Sequence, residues 1–338
     1  MKLLTLLNKV VFGINVLSAT LLLISVVIPH VSLAHFPGMA FLGLSVPVLV
    51  IAHLFFVLYW LLQGKRQLFL SLVSLLLGYL FLESFFRFDL SQDTIEETDL
   101  SIMSYNARIF NRFGWHADAL LDDRIVGFVR GQNPDVVCFQ EFDYPKRTEF
   151  DQYPHRYVAL MKGKVIQAIF SKYPIVSKGH LDFKKSTNNG IYADIVYQGD
   201  TLRIYNLHLQ SLKLRPGSIV REPLGNLFNR LNGAFQKQLE QTAVFDVHRN
   251  ASPYKNIVCG DFNNTQFSRA YNRIKGEMSD TFEEKGSGFG RTYEFVGFPG
   301  RIDFILVDPG FEVTAHKNFD VALSDHYPIM ASVRLQGK

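Results

Sequence analysis

A carboxylate and a carboxamide stand one residue apart where a short apolar run ends, in Ile257-Val258-Cys259-Gly260-Asp261-Phe262-Asn263-Asn264. Extended chain alternates its faces, so Asp261 and Asn263 are expected on one side of the backbone. Burial of the residues before them would fix the pair at a rigid strand end. Asp261 can hold a proton or a cation, and Asn263 can hold a substrate oxygen. The arrangement recurs along the chain. Asn106 ends Ile102-Met103-Ser104-Tyr105-Asn106, Glu141 ends Val136-Val137-Cys138-Phe139-Gln140-Glu141, and His208 lies in Ile204-Tyr205-Asn206-Leu207-His208-Leu209. Asp303 follows Arg301-Ile302, and Asp325-His326 precede Tyr327-Pro328-Ile329. One polar residue beside a strand is ordinarily a turn or a cap, and isolated histidines such as His155, His180 and His316 carry no argument. Six such sites, each abutting an apolar run, point to a shared task of moving protons and balancing charge on oxygens.

The elements that must position these residues are mostly strands. Leu100–Asn106, Asp135–Glu141, Val165–Phe170, Ile257–Gly260, Arg301–Val307, Phe311–Ala315 and Ile329–Val333 read as strands. Ile191–Gln198 and Thr201–Leu209 read as a hairpin turning at Gly199-Asp200. Residues 117–130 predict a helix, with Leu121, Ile125 and Val129 at spacing four and Asn133-Pro134 as its stop. Asn226–His248 has helical content. Two helical stretches between groups of strands predict mixed sheets packed face to face with helices outside, not a regular βαβ alternation. There is no G-x-G-x-x-G, no P-loop and no H-E-x-x-H, so the nucleotide and zinc devices built on them are not supported.

The 338 residues carry 35 Lys and Arg against 31 Asp and Glu, a net charge of +4. Residues 1–86 hold Lys2, Lys9, Lys65 and Arg66 against Glu83, which leaves 31 bases and 30 acids for the rest. That balance argues against tight non-specific nucleic-acid binding by bulk charge. The front end instead reads as membrane-spanning. Val10–Pro29 has no charge over 20 residues, Met39–Leu62 none over 24, and Leu68–Leu82 none over 15, extending to Phe86 if Glu83 is tolerated. About 20 apolar residues cross a bilayer, so spans are expected at 10–29, 39–62 and 68–86. Tyr59 and Trp60 sit where interfacial aromatics do. Lys2 and Lys9, with the Lys65-Arg66 connection, place the N-terminus and that loop in the cytoplasm, because the loop His30–Gly38 has no base. Three spans then put everything after Arg87 outside the cytoplasm; two would return it inside. Ser32-Leu33-Ala34 resembles a signal-peptidase site, but the long apolar run favours an uncleaved anchor. Residues 1–88 are thus expected to be the membrane region, 89–99 a polar linker or domain entry, and 100–338 the catalytic domain. Cys138 and Cys259 lie in apolar runs and are expected to be buried small hydrophobes; a disulfide between them stays open.

Six stretches, in order, resemble the endonuclease/exonuclease/phosphatase superfamily: Ser104-Tyr105-Asn106, Gln140-Glu141, Asn206-Leu207-His208-Leu209, Gly260-Asp261-Phe262-Asn263, Arg301-Ile302-Asp303 and Ser324-Asp325-His326. The resemblance covers about residues 100–335. It implies a four-layered α/β sandwich, two sheets with helices on either face, that hydrolyses phosphate esters with a divalent metal. It implies that Glu141, with Asn106 and Asp325, holds that ion, Mg²⁺ or Mn²⁺; carboxylates with an amide oxygen suit such a hard cation. Asp303 would orient the His326 ring, Asp261 would position or deprotonate the attacking water, and Asn263 and His208 would bind non-bridging oxygens. Attack on a phosphate ester makes the same demands: neutralised equatorial oxygens, an oriented water and help for the leaving oxygen. Two residues after Asn106, where many members carry Asn or Asp, this chain has Arg108, as some deoxyribonucleases do. Arg108 either contacts phosphate or pairs with the sheet, and a second metal would lack a ligand from that position.

The substrate stays open between a phosphodiester such as nucleic acid, the preferred reading, and a phospholipid or inositol phosphate. An inactive scaffold module is the weakest reading, since every site residue is present. Phe183-Lys184-Lys185 and Lys213-Leu214-Arg215 are candidates for nucleic-acid contact. Phe289 in Gly286–Gly290 and the stretch Phe295–Pro299 are candidates for an apolar loop facing lipid. The lipid bilayer is the partner expected of the N-terminal helices, and no protein partner is readable.

Overall fold

The computed structural model describes residues 2–28, 40–82, 84–88, 93–214, 222–295 and 298–336. The Ser32-Leu33-Ala34 site, the His30–Gly38 loop, Pro29, Met39, Glu83, the first linker residues 89–92, Arg215 and the pair Val296-Gly297 lie outside these. Packing divides the chain into two units: residues 1–85 with 265–273, and residues 86–264 with 274–338.

The first unit holds helices α1 (Lys2–Val27), α2 (Ala40–Leu62) and α3 (Leu68–Phe81). Their interior mixes apolar residues such as Leu22, Val46 and Leu49 with polar ones, and their outer faces are apolar. Asn15, Ser18, His53 and Ser71 are buried, while Leu17, Phe55, Leu58, Leu62, Phe69 and Leu80 are exposed. The buried polar groups satisfy one another across the helices. Asn15 Nδ2 donates to Ser71 Oγ at 2.8 Å, His53 Nδ1 lies 3.0 Å from the same hydroxyl, and Trp60 Nε1 donates to Asn15 Oδ1 at 3.1 Å. Trp60 is therefore an interior hydrogen-bonding residue of the helical unit. α1 and α2 are long and apolar enough to cross a membrane. α3 ends at Phe81, with Leu82 in extended conformation, so the expected third span does not continue as helix to Phe86. Its 14 residues rise about 21 Å.

The second unit carries two six-stranded mixed sheets. The first, in the order β13-β14-β1-β2-β4-β3, contains β1 (Leu100–Asn106), β2 (Val136–Gln140), β3 (His155–Ala159), β4 (Gln167–Ser171), β13 (Phe311–Asn318) and β14 (Ile329–Leu335). The second, in the order β5-β6-β7-β8-β12-β9, contains β5 (Ile175–Leu181), β6 (Gly190–Tyr197), β7 (Asp200–His208), β8 (Lys255–Asp261), β9 (Ser279–Asp280) and β12 (Asp303–Val307). A hairpin, β10 (Tyr293–Phe295) and β11 (Phe298–Gly300), leads into β12. β1 runs parallel to β2 and β7 to β8; the other ladders are antiparallel.

Side-chain alternation builds the layers. Ile102, Val136, Cys138 and Ile169 of the first sheet face Ile191, Ile204, Ile257, Cys259 and Ile305 of the second. The outward residues Met103, Val137, Phe139 and Phe170 meet helix α4 (Leu121–Gln132) through Ile125 and Val129. Helix α5 (Leu224–Asn250) covers the second sheet, with Phe245 edge-on to Tyr205 at 5.1 Å. This is the expected four-layered sandwich, and burial on both faces explains why the central strands read as continuous apolar runs. Both cysteines are buried and free. α4 stops at Asn133, left-handed at φ 49° and donating to Val129, as Asn133-Pro134 predicts. The β6–β7 turn falls one residue earlier than expected: its two residues are Gln198 and Gly199, at φ 50° and 85°. Type I′ geometry needs positive φ at both positions, and Asp200 instead pairs with Tyr197. The last residues of the expected linker are docked on this unit, with Asp99 paired to Arg334 at 2.9 Å and Thr94 donating to Thr314.

Candidate active site

The two sheets bring the six sequence stretches to one edge of the sandwich. Asn106 ends β1, Glu141 follows β2, His208 ends β7, Asp261 ends β8, Asp303 opens β12, and Asp325 and His326 precede β14. Within the second sheet, strand register seats Asp261 between His208 and Asp303. Asn106, His208, Asp261, Asp303 and His326 are buried, whereas Glu141 is half-buried and Asp325 keeps about a third of its side chain in solvent.

Asp261 is the hub. Its Oδ1 accepts from the Asn263 backbone N–H at 2.7 Å, and its Oδ2 accepts from Asn106 Nδ2 at 3.0 Å and Asn263 Nδ2 at 3.1 Å. Strand alternation is not what unites Asp261 and Asn263. β8 ends at Asp261, and Asn263, left-handed at φ 51°, turns its amide back onto the carboxylate. The second Asn263 amide proton goes to the Leu209 carbonyl at 3.1 Å. Both of its protons are therefore engaged, so Asn263 orients Asp261 here, and holding a substrate oxygen would require exchanging one of these bonds.

His326 Nδ1 lies 2.9 and 3.2 Å from the two Asp303 oxygens, and its Nε2 stands 3.7 Å from Asp261 Oδ2. Burial alone would lower this imidazole; the charges of Asp303 and then Asp261 outweigh it and hold the ring protonated. Burial raises the Asp261 carboxyl and the neighbouring Asp303 adds to this, while the His326 cation opposes it. His208 is the opposite case. Burial, with the His326 charge, lowers it to about 3, so its imidazole is neutral, with Nε2 3.4 Å from Asp261 Oδ2 and Nδ1 buried without a partner.

Two groups are candidates for a divalent ion. The ligand atoms of Asp261, Asp303 and His326 lie within 4.8 Å of one another. In that cluster the His326 ring faces both carboxylates, with Nδ1 2.9 Å from Asp303 and Nε2 3.7 Å from Asp261. The second group is Glu141, Asp325 and the Asn106 amide oxygen. Burial raises the Glu141 carboxyl; His326 opposes this, and the nearby Asp325 charge adds to it. Two carboxylates beside the Asn106 amide, with Glu141 raised by burial and by the Asp325 charge, form the hard-donor set that a divalent cation relieves, so these residues fit the ion.

Arg108 approaches the same group, with Nη1 3.2 Å from Asp325 Oδ2 and its guanidinium 4.2 Å over the Trp115 ring. It opens a run of four left-handed residues, Arg108, Ile109, Phe110 and Asn111, at φ 44°, 54°, 51° and 58°. For L-residues this conformation costs about 1–2 kcal/mol each. Phe110 offsets part of it, buried against Phe139 and Phe142 at 5.7 and 5.4 Å.

Sequence reasoning left several supporting residues without a task. Gln140 and Asn206 belong to the motifs, and the structure joins them across the two sheets, Gln140 Nε2 donating to Asn206 Oδ1 at 2.7 Å. Ser324 Oγ donates to the Asn106 carbonyl at 2.9 Å. Thr292 carried no signal. It is fully buried, and its hydroxyl oxygen accepts from the backbone N–H groups of Ile302 and Asp303 at 2.9 and 3.0 Å, while its carbonyl accepts from Tyr327 N–H at 2.7 Å. One side chain thus ties the start of the Asp303 strand to the segment carrying His326.

The model of the Endonuclease/Exonuclease/phosphatase family matches residues 103–326, and a domain of unknown function matches residues 8–85. No curated protein matches the chain. Among solved structures, D. rerio TDP2 complexed with single-strand DNA product is similar at 16% identity and TM-score 0.54, covering 70% of this chain and 100% of that one. A Bacteroides thetaiotaomicron mannosyl-6-phosphatase gives 17% identity and TM-score 0.52, covering 70% and 100%. The human Nocturnin catalytic domain with bound sulfate gives 14% and 0.56, covering 72% and 97%. At these identities the structures show a shared fold, while the family model spans all six stretches. The chain belongs to the endonuclease/exonuclease/phosphatase family of phosphoric-ester hydrolases.

Proposed function

We propose that this protein is a membrane-anchored, divalent-metal-dependent hydrolase of phosphate esters, acting on phosphodiesters such as nucleic acid. Its membrane region is residues 1–88 and its catalytic domain residues 100–338, joined through 89–99. The observation that carries the chemistry is the Asp261 hub, with His326 Nε2 3.7 Å from its carboxylate on one side and His208 Nε2 3.4 Å on the other. Glu141, Asp325 and Asn106 hold Mg²⁺ or Mn²⁺, which, when bound, neutralises phosphate charge. Asp261 takes the proton of the attacking water, because its raised proton affinity suits a base near neutral pH and its three hydrogen bonds fix its lone pairs. His326, held by Asp303, presents Nε2–H to a non-bridging oxygen as charge builds there. His208 adds a neutral hydrogen bond, and Asn263 keeps Asp261 aimed. Arg108 contacts the substrate phosphate.

Membrane anchoring is supported by the apolar outer faces of the first unit, with leucines exposed and hydrogen-bonded Asn, Ser and His buried. α3 is short for a bilayer, yet its Ser71 is tied to Asn15 and His53 of the other two helices, which supports a third crossing and an extracytoplasmic domain.

Two of the expected substrate contacts change weight. Phe183 is buried, so it offers no stacking surface beside Lys184 and Lys185. Phe289 is partly exposed and joins the ring of Phe86 at 4.9 Å, which meets Phe88 at 4.8 Å. This exposed aromatic group favours a second reading, hydrolysis of a phospholipid or inositol phosphate.

The test uses the full chain in sealed right-side-out vesicles, with Mg²⁺ or EDTA, on external DNA, RNA, an inositol polyphosphate and a sphingomyelin analogue. EDTA-sensitive turnover of a nucleic acid supports the reading. Turnover confined to lipid or inositol phosphate establishes the second one. Activity that appears only after the vesicles are opened refutes the topology, and turnover undiminished by EDTA refutes metal dependence.

Thr292 gives a separate prediction. Thr292→Val keeps the shape but strands two buried N–H groups, at a cost of about 1–3 kcal/mol of stability. It also loosens Asp303, so kcat is expected to fall about tenfold or more, since about 1.4 kcal/mol of lost transition-state stabilisation suffices for that. Thr292→Ser, which keeps the oxygen, should retain most of the activity. Thermal denaturation with steady-state kinetics reads both, and equal losses in the two variants would refute the hydroxyl's role.

A further inference from the structure

We propose that the helical unit is part of the catalytic apparatus: Phe267, seated between helices α1 and α2, is a positioning residue that holds the Asp261–Asn264 turn in shape. The inference rests on the hydrolase reading above and adds to it a task for the helices beyond anchoring.

The first observation is where the chain goes after the motif. Asn264 closes a stretch of the catalytic unit, Thr265–Arg273 belong to the helical unit, and the chain returns at Ile274. Phe267 is the one large apolar residue of Asn263-Asn264-Thr265-Gln266-Phe267-Ser268-Arg269. It is 2% exposed, buried with Leu22 near the end of α1 and with Val46 and Leu49 near the start of α2. Burial of a phenyl ring among leucines and a valine is a strong, non-directional hold on the segment that carries it. Gln266 adds a directional one, its Nε2 donating to the Ser84 carbonyl at 3.2 Å, just beyond α3.

Gly43 of α2 is the second observation. A Cβ added there would lie 2.9 Å from the Phe267 carbonyl oxygen and 3.8 Å from the Ser268 Cα. The backbone that follows the motif thus runs against the helix itself, and glycine admits it.

The segment is also stiff. Ser268 Oγ accepts from the Tyr271 N–H at 3.1 Å and caps a short helix, α6 (Arg269–Lys275), while the Ser268 N–H donates to the Thr265 carbonyl at 3.0 Å. On either side of it, α5 fastens the chain in the catalytic unit. Gln238 Oε1 accepts from Asn264 Nδ2 at 2.8 Å, and Arg249 Nη1 donates to the Ile274 carbonyl at 2.7 Å.

The consequence falls on Asp261. Asn263 aims that carboxylate through its backbone N–H and its side-chain amide, and does so from a left-handed conformation that its surroundings must maintain. One end of the turn is fixed in β8 and the other runs into the segment that Phe267 pins. Loss of the pin lets the turn relax, and displacement of a catalytic group by about 1 Å costs up to about 10²-fold in rate.

The experiment uses the full-length protein in detergent micelles, with steady-state hydrolysis of bis(p-nitrophenyl) phosphate in Mg²⁺ and hydrogen–deuterium exchange over residues 262–268. Phe267→Ala is expected to lower kcat by about ten- to a hundredfold with little change in KM. Phe267→Leu, which keeps an apolar plug, should retain most of the rate. Gly43→Ala, made in α2, is expected to lower kcat several-fold. Gly13→Ala in α1, where a Cβ meets nothing within 4 Å, should match wild type. Exchange is expected to quicken over 262–268 in Phe267→Ala and Gly43→Ala and to stay unchanged in β7 and β12, whereas a general loss of stability would quicken all three. Wild-type kcat and exchange in Phe267→Ala, or equal losses in Gly43→Ala and Gly13→Ala, overturn the inference and leave the hydrolase reading intact. If Phe267→Ala does not fold, the Gly43→Ala and Phe267→Leu results decide. No turnover in wild type overturns the hydrolase reading, and unchanged exchange in Gly43→Ala then overturns the tether as well.

Discussion

Asp261→Asn is expected to lower kcat by about 10²- to 10⁴-fold, the range spanned by positioned general bases, with a much smaller change in KM. The substitution preserves shape. It removes the proton-accepting charge and makes one of the two terminal atoms a donor. As built, one oxygen accepts from two side-chain amides and the other from a backbone N–H, so the new amide must face a donor whichever way it turns. That mismatch costs about 1–3 kcal/mol of stability, and thermal denaturation of the variant measures it separately from the rate. Loss of the carboxylate also takes one anion from His326. A folded variant retaining more than about a tenth of wild-type kcat would refute Asp261 as the base.

Gly260→Ala is expected to cost about 4 kcal/mol or more, and so to lower the melting temperature by about 10 °C or to prevent folding of the catalytic unit. Gly260 has φ 152°, and a Cβ added there would lie 2.0 Å from the Leu207 carbonyl oxygen. The obstacle is the backbone of the paired parallel strand, which cannot rotate away as a side chain can. Forcing β7 and β8 apart would displace the two residues that follow, His208 and Asp261. Glycine is thus required where β8 passes the Leu207 backbone of β7. A denaturation midpoint within about 1 kcal/mol of wild type would show that the strands can separate at little cost.

The parts of this protein readable from its sequence share a physical cause. Central strands buried on both faces are written as unbroken apolar runs, and the polar residue ending each run stands out against them. That contrast singles out Asn106, Glu141, His208 and Asp261 as candidates, and Asp303 where its run opens. Edge strands lack it. β3 and β5 carry His155, Arg156, Lys178 and His180 on half-exposed faces, so they did not register as strands. The β6–β7 turn was misplaced by one residue because composition shows a glycine but not which neighbour shares its positive φ. Asn263 was matched with Asp261 through alternation, whereas a left-handed backbone brings them together. Thr292 and the Arg108–Trp115 stack left no trace, because each depends on segments that meet only in the fold. The apolar stretch of the expected third span outlasts its helix, since hydropathy does not show where the backbone leaves the helix after Phe81.

The central claim is that a phosphate ester is cleaved at the Asp261 hub with a divalent ion at Glu141. The most direct measurement follows p-nitrophenol release from bis(p-nitrophenyl) phosphate by the full-length protein in detergent, with Mg²⁺, after EDTA, and after Mg²⁺ is restored, for wild type and Glu141→Gln. The account predicts turnover in wild type that EDTA abolishes and Mg²⁺ restores, and a loss of about 10²-fold or more in Glu141→Gln at any Mg²⁺ concentration. Turnover that survives EDTA, or a Glu141→Gln protein as active as wild type, would contradict it.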